Sequence, residues 1–556
     1  MDIRTELEEK LSKIASKISG EEVSAALNVS KDLSKGDFAS NIAMRISKKG
    51  DPMVTGERIV EEIRKDEGLY KRFEKIELLK PGFINFYLSF DEVIKGISEA
   101  LEGPKAALKD NQELIFEFGD PNPFKEPHIG HLRNFILGEA ICRILSDEHK
   151  IIRANYQGDV GMHVAKAIYG ITKLGIDALS IGNLEEKAKF LGKAYAAGAK
   201  EFEENEEAKK DISEINKKVY EKDPEIMKIW EKGREISLSY FETLYKALVI
   251  SYDKYYFESQ TAEEGLKIVK ENIGKVFEEH EGAVVFRGED LGLHTRVFIT
   301  SAGYATYEGK DLALAILKNK DFPKAASIVM TANEQVDYFK VLIAALNKIN
   351  PQISEKTKHL SFGFVDLKEG KMSSRTGNIV PAFWLLEETR KRLKSGFKDA
   401  PESVLDVISI GAVKWSMLKF SRESNISFSI EESIQIEGNS GPYMQYSYAR
   451  AKSLLGNSTK KPSEANLREN TNREMLALLR LVCQFNAVRK EAAEKFSPNI
   501  LTNYLYDLAK SFNTFYEKEK VIGAENETEK IYVIDAVSKV LKNGLNLLGI
   551  DAPDKI

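Results

Sequence analysis

The 556-residue sequence has only two cysteines, three tryptophans and seven histidines, and it lacks any long uncharged apolar run. The cysteines, Cys142 and Cys483, lie far apart and have no metal-ligand spacing, which excludes a disulfide framework and a zinc ribbon. No segment approaches the roughly 18–20 apolar residues of a membrane span. We therefore expect a cytoplasmic protein with no membrane segment and no protein-bound zinc.

Charge of either sign is also not in large excess. The chain has 81 Lys or Arg and 86 Asp or Glu, a net charge of −5, and 42% hydrophobic residues. This composition excludes disordered and collagen-like proteins. A balanced total argues against indiscriminate nucleic-acid binding but allows a local basic face. At ~150 residues per domain, the length predicts three or four domains.

Alternating strands and helices predict an α/β fold in the middle of the chain. Residues 114–118 are predicted to form a buried strand, a Gly/Pro-rich loop follows, and a helix begins near His128 and continues to about Ser146. A second strand at 151–156 follows directly, as a right-handed crossover requires. This order is the opening of a Rossmann-like nucleotide-binding sheet with parallel strands.

Other patterns surround this core. A long charged helical stretch at about 184–249 predicts a helical insertion. A strand at 83–88 follows Pro81-Gly82, a linker is expected at 101–110, and helices are predicted from 382 onward, apart from loops such as 425–429. The predicted regions are a small α+β domain at 1–110, an α/β domain at 111–381, a helical region at 382–440 and an all-helical domain at 441–556.

The most informative segment is the helix start His128-Ile129-Gly130-His131. Histidines three residues apart lie on one face of a helix, and Gly130 lets a flat ligand approach closely. Amides at a helix N-terminus attract phosphate, and imidazoles beside them can donate hydrogen bonds to developing phosphoryl charge. The alternative is a pair of capping histidines with a structural role only.

A second segment, Lys-Glu-Gly-Lys-Met-Ser-Ser-Arg-Thr-Gly-Asn at 368–378, has a composition suited to polyphosphate. Its cations Lys371 and Arg375 are four residues apart among hydroxyls and glycines, as in a loop that closes over phosphates. It is not a P-loop, because Met372 follows Lys371 and Val365 stands where the first glycine belongs. Taken alone, the segment could equally be an exposed basic turn.

Together the two segments resemble the two ATP motifs of class I aminoacyl-tRNA synthetases, and more closely those of the arginyl-tRNA synthetases. The resemblance covers essentially the whole chain. Segments 36–41 and 81–85 resemble the family's N-terminal domain, 155–159 a loop after its second strand, 304–311 its arginine-binding segment, and 441–450 with 541–553 its anticodon-binding domain.

The sequence also departs from the family pattern. Arg375 stands where the class I loop usually has a second lysine, and the lysine before the histidine motif is thought to compensate in this family. This chain keeps both Lys371 and Lys125. Departures at 160, 162 and 163 leave the roles of those positions open.

The resemblance implies an arginine–tRNA ligase, which activates L-arginine with ATP to arginyl-adenylate and transfers the arginyl group to the 3′-terminal adenosine of tRNA(Arg). Mg²⁺ should accompany ATP, bound mainly through phosphates. A monomer is expected. The implied catalytic residues are His128, His131, Lys371 and Lys125, and the implied ATP-binding residues are Gly130, His128, His131, Lys371 and Ser373.

Arginine can be distinguished from lysine because a carboxylate can accept two parallel hydrogen bonds from the planar guanidinium. By family position, Asp311 is the first candidate for this carboxylate. The alternative for Asp311 is a helix N-cap before Leu312. The other implied arginine-binding residues are Glu117, Asn122, Tyr307 and Gln335.

For tRNA, the resemblance points to the 441–450 segment, whose aromatics beside an arginine suit stacking on unpaired bases. A core-facing aromatic stripe is the alternative for one or two of its tyrosines. Region 382–440 is expected to contact the tRNA stem, and the N-terminal domain its elbow. The candidate tRNA-binding residues are Tyr443, Gln445, Tyr446, Arg450 and Asn85.

Three other functions compete with this interpretation. Another class I synthetase, for lysine or cysteine, would share the ATP motifs, but the lack of zinc-ligand cysteines argues against the cysteine enzyme. A non-catalytic tRNA-binding relative would have no use for His128, His131, Lys371 and Lys125 together. A free-standing nucleotidylyltransferase would be shorter and would lack the helical tail.

Overall fold

The structure is a computed structural model, and it describes residues 3–30, 32–48, 50–102, 112–368 and 380–556. Lys371 and Ser373 lie outside these ranges. The chain forms two compact units. Unit 1 contains Met1–Ala107, Ile436–Leu547 and Asp551–Ile556, and unit 2 contains Leu108–Gln435 and Leu548–Ile550.

The N-terminal part of unit 1 is an α+β region with a four-stranded sheet. Its elements are α1 (Ile3–Ser19), β1 (Asn28–Val29), β2 (Phe38–Ser40), α2 (Ile42–Ile46), α3 (Pro52–Arg64), α4 (Glu67–Tyr70), β3 (Phe73–Leu79), β4 (Phe83–Leu88) and α5 (Phe90–Glu102). The strand order is β1-β2-β4-β3, and every pair is antiparallel. The predicted strand at 83–88 is present. The predicted linker at 101–110 begins inside α5, and its residues 103–110 lie outside the described ranges.

Unit 2 is the α/β part of the chain. Its first elements are β5 (Glu113–Glu117), α6 (Ile129–Leu145), β6 (Lys150–Gln157), α7 (Met162–Leu174), α8 (Leu184–Glu204), α9 (Glu206–Tyr220), α10 (Pro224–Ala247), β7 (Lys254–Phe257), α11 (Glu258–Glu271), β8 (Glu278–His280), β9 (Ala283–Phe286) and β10 (Arg296–Ile299). It continues with α12 (Tyr307–Asp321), β11 (Ala326–Ala332), α13 (Val336–Ile349), α14 (Pro351–Glu355), β12 (Thr357–Phe362), β13 (Val365–Leu367), α15 (Ala382–Lys394), α16 (Glu402–Leu418), β14 (Ile426–Phe428) and α17 (Ile430–Ser433).

The central sheet of unit 2 has the strand order β12-β11-β5-β6-β7, and all its pairs are parallel. The predicted Rossmann-like sheet is therefore confirmed. From β5 the chain proceeds to β6 on one side and later returns to β11 on the other side. Ligands of open α/β sheets bind at the carboxyl ends of the strands at such a switch point.

The helical insertion predicted at 184–249 is formed by α8, α9 and α10. Helix α10 supports the loop after β5, because Ser237 Oγ accepts a hydrogen bond of 2.9 Å from the Phe124 amide. It also holds the loop after β6, where Arg234 pairs with the buried Asp159 at 2.9 Å. The insertion thus fixes the two loops that follow the central strands.

One loop prediction is wrong. Residues 426–428, expected in a loop, form strand β14, which pairs in parallel with β13. Ile426 and Phe428 are both buried. Because the partner strand lies about sixty residues earlier in the chain, local sequence pattern does not show this pairing.

The rest of unit 1 is helical, as predicted for 441–556. Its helices are α18 (Gly441–Asn457), α19 (Leu467–Asn470), α20 (Arg473–Cys483), α21 (Phe485–Glu494), α22 (Pro498–Lys518) and α23 (Glu527–Leu547). They pack against the N-terminal region: Arg4 donates to the Ala487 carbonyl at 2.9 Å, and Gln484 to the Asp37 carbonyl at 3.3 Å. Among the described residues, no helix combines the length and apolar character needed to cross a membrane.

Candidate active site

A cleft of about 770 Å³ opens at the switch point of the unit 2 sheet. Its walls come from the carboxyl ends of β5, β6 and β11, the first turns of α6 and α12, and strand β13. The structure brings together eight residues that the sequence singled out, and all of them line this cleft: Glu117, Asn122, His128, Gly130, His131, Tyr307, Asp311 and Gln335.

One end of the cleft is the N-terminus of α6. His128 is the N-cap, and its Nδ1 accepts a hydrogen bond of 3.1 Å from the Gly130 amide. His131 Nδ1 accepts one of 3.3 Å from the His128 amide. Because both Nδ1 atoms accept from backbone N–H groups, each neutral ring carries its proton on Nε2. Each imidazole therefore caps the helix through Nδ1 and has an Nε2–H group that can donate a hydrogen bond.

Both histidines are neutral near pH 7. Burial, followed by the charge of Lys125, lowers the pKa of His128. Burial, His128 and Lys125 together lower the pKa of His131 well below its ordinary value. The ring centroids are 4.0 Å apart, so two protonated imidazoles would repel each other strongly. The helix end thus offers neutral Nε2–H donors.

Four carboxyl groups surround the rest of the cleft floor: Glu117, Asp120, Glu258 and Asp311. Two of them have cationic partners. Lys318 Nζ lies 2.8 Å from Glu117 Oε2, and Lys310 Nζ lies 2.6 Å from Glu258 Oε2. In the part of the chain that the structure describes, Asp120 and Asp311 have no lysine or arginine partner. The floor therefore has a surplus of acid groups.

Burial disfavours the ionised form of these unpaired acids. It raises the pKa of Asp311 to about 8, although a hydrogen bond of 2.5 Å from the Tyr338 hydroxyl to Oδ2 opposes the shift. Burial and then the charge of Glu117 raise the pKa of Asp120 well above its ordinary range. A cationic ligand placed here would stabilise both carboxylates.

The structural alternative for Asp311 is wrong. Helix α12 begins at Tyr307 and its N-cap is Thr306, so Asp311 lies in the second turn. There it faces the cleft and Tyr338 rather than the helix end. Asp311 is consequently available as a ligand-binding group.

Two predicted catalytic positions are not cleft-lining residues of the described structure. Lys125 lies outside the lining, with Nζ 4.6 Å from the centroid of the Tyr195 ring. Its charge nevertheless acts on both histidines, as their lowered pKa values show. Lys371 lies in segment 369–379, outside the described residues.

Sequence reasoning missed one carboxyl group of the acidic floor, Glu258, and the residues that contact the floor acids: Lys310, Lys318 and Tyr338. Gly158 belongs with them, because a Cβ there would lie 2.4 Å from Asn122 Oδ1 and 3.0 Å from Glu258 Oε1. No local motif marks these positions, since each acts through a partner far away in sequence. The departure at His163 has a structural reason: this buried ring lies 2.7 Å from the Gly158 carbonyl, and burial lowers its pKa to about 3.

In unit 1, the predicted RNA-binding residues on α18 divide into two groups. Arg450 lies over the rings of Tyr446 and Tyr516, 4.9 and 4.6 Å from their centroids. Asn513 joins Arg450 to Tyr443, with hydrogen bonds of 2.9 Å to each. Tyr446 is 36% exposed. These residues form a cationic aromatic patch on the helical part of unit 1.

Gln445 and Asn85 differ from that patch. Gln445 is fully buried and donates a 2.7 Å hydrogen bond to the Asp551 carbonyl. Asn85 lies in the sheet and is 4% exposed. Neither side chain has the exposure that direct contact with RNA requires, because both positions serve the packing of their own unit.

Comparison with known proteins identifies the class first. A family model described as tRNA synthetases class I (R), catalytic domain, matches residues 96–430, more than half of the chain. Models for the arginyl tRNA synthetase N terminal domain and the DALR anticodon binding domain match 1–88 and 444–556. Fold and cleft are thus those of a class I aminoacyl-tRNA synthetase. The chain belongs to the arginyl-tRNA synthetase family.

Individual relatives match this chain over most of its length. An arginine–tRNA ligase of Bacteroides thetaiotaomicron is 29% identical over 554 residues, covering 92% of each chain. That of Borrelia hermsii is 31% identical over 489 residues, covering 83% of this chain and 82% of the relative. The solved arginyl-tRNA synthetase of Thermus thermophilus has a TM-score of 0.82 and 25% identity, with both chains fully covered.

Proposed function

We propose that the chain is an arginine–tRNA ligase. It uses ATP to convert L-arginine to arginyl-adenylate and then transfers the arginyl group to the 3′-terminal adenosine of tRNA(Arg). One observation carries this proposal: a single cleft has a buried acid surplus on its floor and a helix N-terminus with two neutral histidines at its end. The floor suits a cationic side chain, and the helix end suits phosphates.

Arginine recognition rests on Asp311. Its partly buried carboxylate can accept two N–H groups of a planar guanidinium, and the Tyr338 hydroxyl orients it. Glu117 supplies a second carboxylate whose charge is partly balanced by Lys318. Asn122 and Gln335 line the same cleft and suit the α-amino and carboxyl end of the amino acid, with Tyr307 as a wall.

ATP binding rests on the start of α6. The Nε2–H groups of His128 and His131 donate to the phosphates, and they gain strength as charge develops on the α-phosphate. Gly130 leaves room for the adenosine. Because both imidazoles are neutral, they leave the negative charge of the triphosphate to Mg²⁺, which would be held mostly by phosphate oxygens.

No enzyme nucleophile is needed, because the carboxylate of arginine attacks the α-phosphorus and pyrophosphate leaves. The protein contributes positioning and charge stabilisation. From the sequence, Lys371 and Ser373 are proposed to act on the departing pyrophosphate, assisted by Lys125. The proposed domain of activation is 111–381, with the helical insertion at 184–249 supporting its loops.

For tRNA, the proposed contact surface is the patch of Tyr443, Tyr446 and Arg450 in the anticodon-binding domain at 441–556. Its exposed ring and stacked guanidinium suit unpaired bases. Region 382–440 is proposed for the tRNA stem and domain 1–110 for the elbow. Gln445 and Asn85 are not proposed to contact tRNA directly, because both side chains are buried. The enzyme is proposed to act as a monomer in the cytoplasm.

The test is aminoacylation of total tRNA with each of the twenty amino acids in separate reactions containing ATP and Mg²⁺. We expect charging with arginine only, and its loss without ATP. His131→Ala provides the inactive control. Charging with lysine in place of arginine would overturn the proposed specificity.

A further inference from the structure

Arg133 is a fully buried arginine on α6, two residues beyond His131. Its guanidinium donates to four backbone carbonyl groups. Nη1 contacts the Phe364 carbonyl at 2.8 Å, and Nη2 contacts those of Ser424, Arg422 and Ser421 at 2.8, 3.2 and 3.4 Å. Within the described ranges, no carboxylate pairs with it. A buried cation without a counter-ion is expensive, which calls for a role.

The carbonyls that Arg133 holds belong to one wall of the cleft. Phe364 lines the cleft, and β13 follows it directly and lines the cleft as well. The wall is tightly built, because a Cβ at Gly363 would lie 2.3 Å from the Ser424 backbone. The Arg422 side chain adds a hydrogen bond to the Ser361 carbonyl. This wall is therefore a rigid element that Arg133 connects to the histidine helix.

A second attachment lies at the start of α6. The Ile129 amide donates to the Val380 carbonyl at 2.9 Å, and the Ala382 amide donates to the Pro127 carbonyl at 2.8 Å. Val380 also lines the cleft. Helix α6 is thus attached to the lining of the cleft at two places, once through the Arg133 side chain and once through backbone hydrogen bonds at its first turn.

We propose that Arg133 is a positioning residue for the ATP half of the reaction. Its planar fork holds the Phe364 wall at a fixed separation from His128 and His131, so that ATP meets both in one geometry. A lysine would carry the charge, but its single ammonium could not reproduce two donor nitrogens held in one plane. This inference rests on the proposed function, since it assigns a role within the same cleft.

The test compares Arg133→Met and Arg133→Lys with a matched control. Lys414→Met removes another buried cation of unit 2, whose ammonium donates to the Leu248 and Gly549 carbonyls away from the cleft. Steady-state arginylation is measured with ATP and arginine varied in turn, and thermal unfolding is followed for each variant. Wild type is assayed first, so that a wild type unable to charge arginine refutes the function rather than this inference.

In Arg133→Met we expect kcat/KM for ATP to fall by about 100-fold, as for a misplacement of roughly 1 Å, with the KM for arginine within about twofold of wild type. In Arg133→Lys, kcat/KM for ATP should fall by about tenfold. If the Met variant does not fold, this variant tests the proposal. Lys414→Met should unfold at a lower temperature with unchanged kinetic constants. Equal losses for ATP and arginine, or no loss for ATP in a folded variant, would overturn the proposal.

Discussion

Burial shifts the pKa values of the titratable groups in opposite directions at the two ends of the cleft. At the floor, burial raises the pKa values of Asp120, Glu258 and Asp311, that of Asp311 to about 8, so a bound cation is needed to stabilise the ionised acids. The helix end holds imidazoles whose pKa values fall on burial, so that it stays neutral and donates. Burial is the largest cause of the pKa shifts at both ends: it makes the acids favour a cationic side chain, and it keeps the histidines neutral as donors for phosphate.

The largest effect is expected at the floor. Asp311→Asn keeps the shape but leaves a bound guanidinium without its buried charge partner, which should cost about 4 kcal/mol, or nearly 10³ in kcat/KM for arginine. The KM for ATP should change by less than about threefold, because the histidine end is untouched. Varying each substrate in turn measures both values.

Tyr338→Phe is the matched control for that variant. It removes one hydrogen bond to Asp311 and keeps the carboxylate, so the loss for arginine should be only about fivefold. Equal effects of Asp311→Asn on both substrates would remove Asp311 from the arginine site.

At the helix end, His128→Asn separates the two roles of the imidazole. Asparagine is a good N-cap, so the helix start is retained, whereas the Nε2–H donor to the cleft is lost. The rate of adenylate formation should fall by about 10²–10³, with the unfolding temperature unchanged.

His128→Ala completes this comparison. It loses the donor and the cap together, so it should show the same rate loss plus about 1 kcal/mol of destabilisation. A variant His128→Asn that is as active as wild type would show that the imidazole serves the helix only.

The pH dependence should differ between the ends. Because the pKa of Asp311 is raised to about 8 without ligand, it is mostly protonated at pH 7, and arginine must displace that proton. The KM for arginine should therefore fall by roughly 10–30-fold as pH rises from about 6.5 to 8.5. The KM for ATP should change much less, because burial lowers the pKa values of both histidines. A KM for arginine that rises with pH would contradict the raised pKa.

The smallest effect is expected in unit 1. Tyr446→Ala removes an exposed ring and should raise the KM for tRNA about fivefold, at ~1 kcal/mol for one stacked base. Tyr446→Phe keeps the ring and should behave as wild type. Neither variant should change the KM for arginine or ATP, and a change in those constants would speak against a separate tRNA surface.

The sequence predicts a residue of this site well when its partners are close in sequence, and poorly when they are distant. His128, Gly130 and His131 are recognisable because helix spacing alone puts them on one face. Asp311 needs the family pattern. The remaining features arise from long-range contacts: Tyr338 reaches Asp311 from another helix, and Lys318 reaches Glu117 from 201 residues away.

The elements of the fold also differ in whether local or distant residues determine them. The parallel strands and the helical insertion follow from local periodicity, so the sequence predicts them well. Strand β14 is missed because its pairing partner is distant. The burial of Gln445 and Asn85 is missed because both are polar residues in segments that resemble RNA-binding ones, and their packing partners lie elsewhere in unit 1.

The central claim is that the acidic floor of the cleft recognises the guanidinium group of arginine. Its most direct test compares three amino acids. The rate of tRNA charging is measured with arginine, with citrulline, which has nearly the same shape but no charge, and with lysine, which has the charge but no planar fork. We predict a preference for arginine of about 10³-fold or more over both in the wild type, and its collapse against citrulline in Asp311→Asn. Comparable charging by citrulline or lysine in the wild type would contradict recognition of a charged, planar side chain at Asp311.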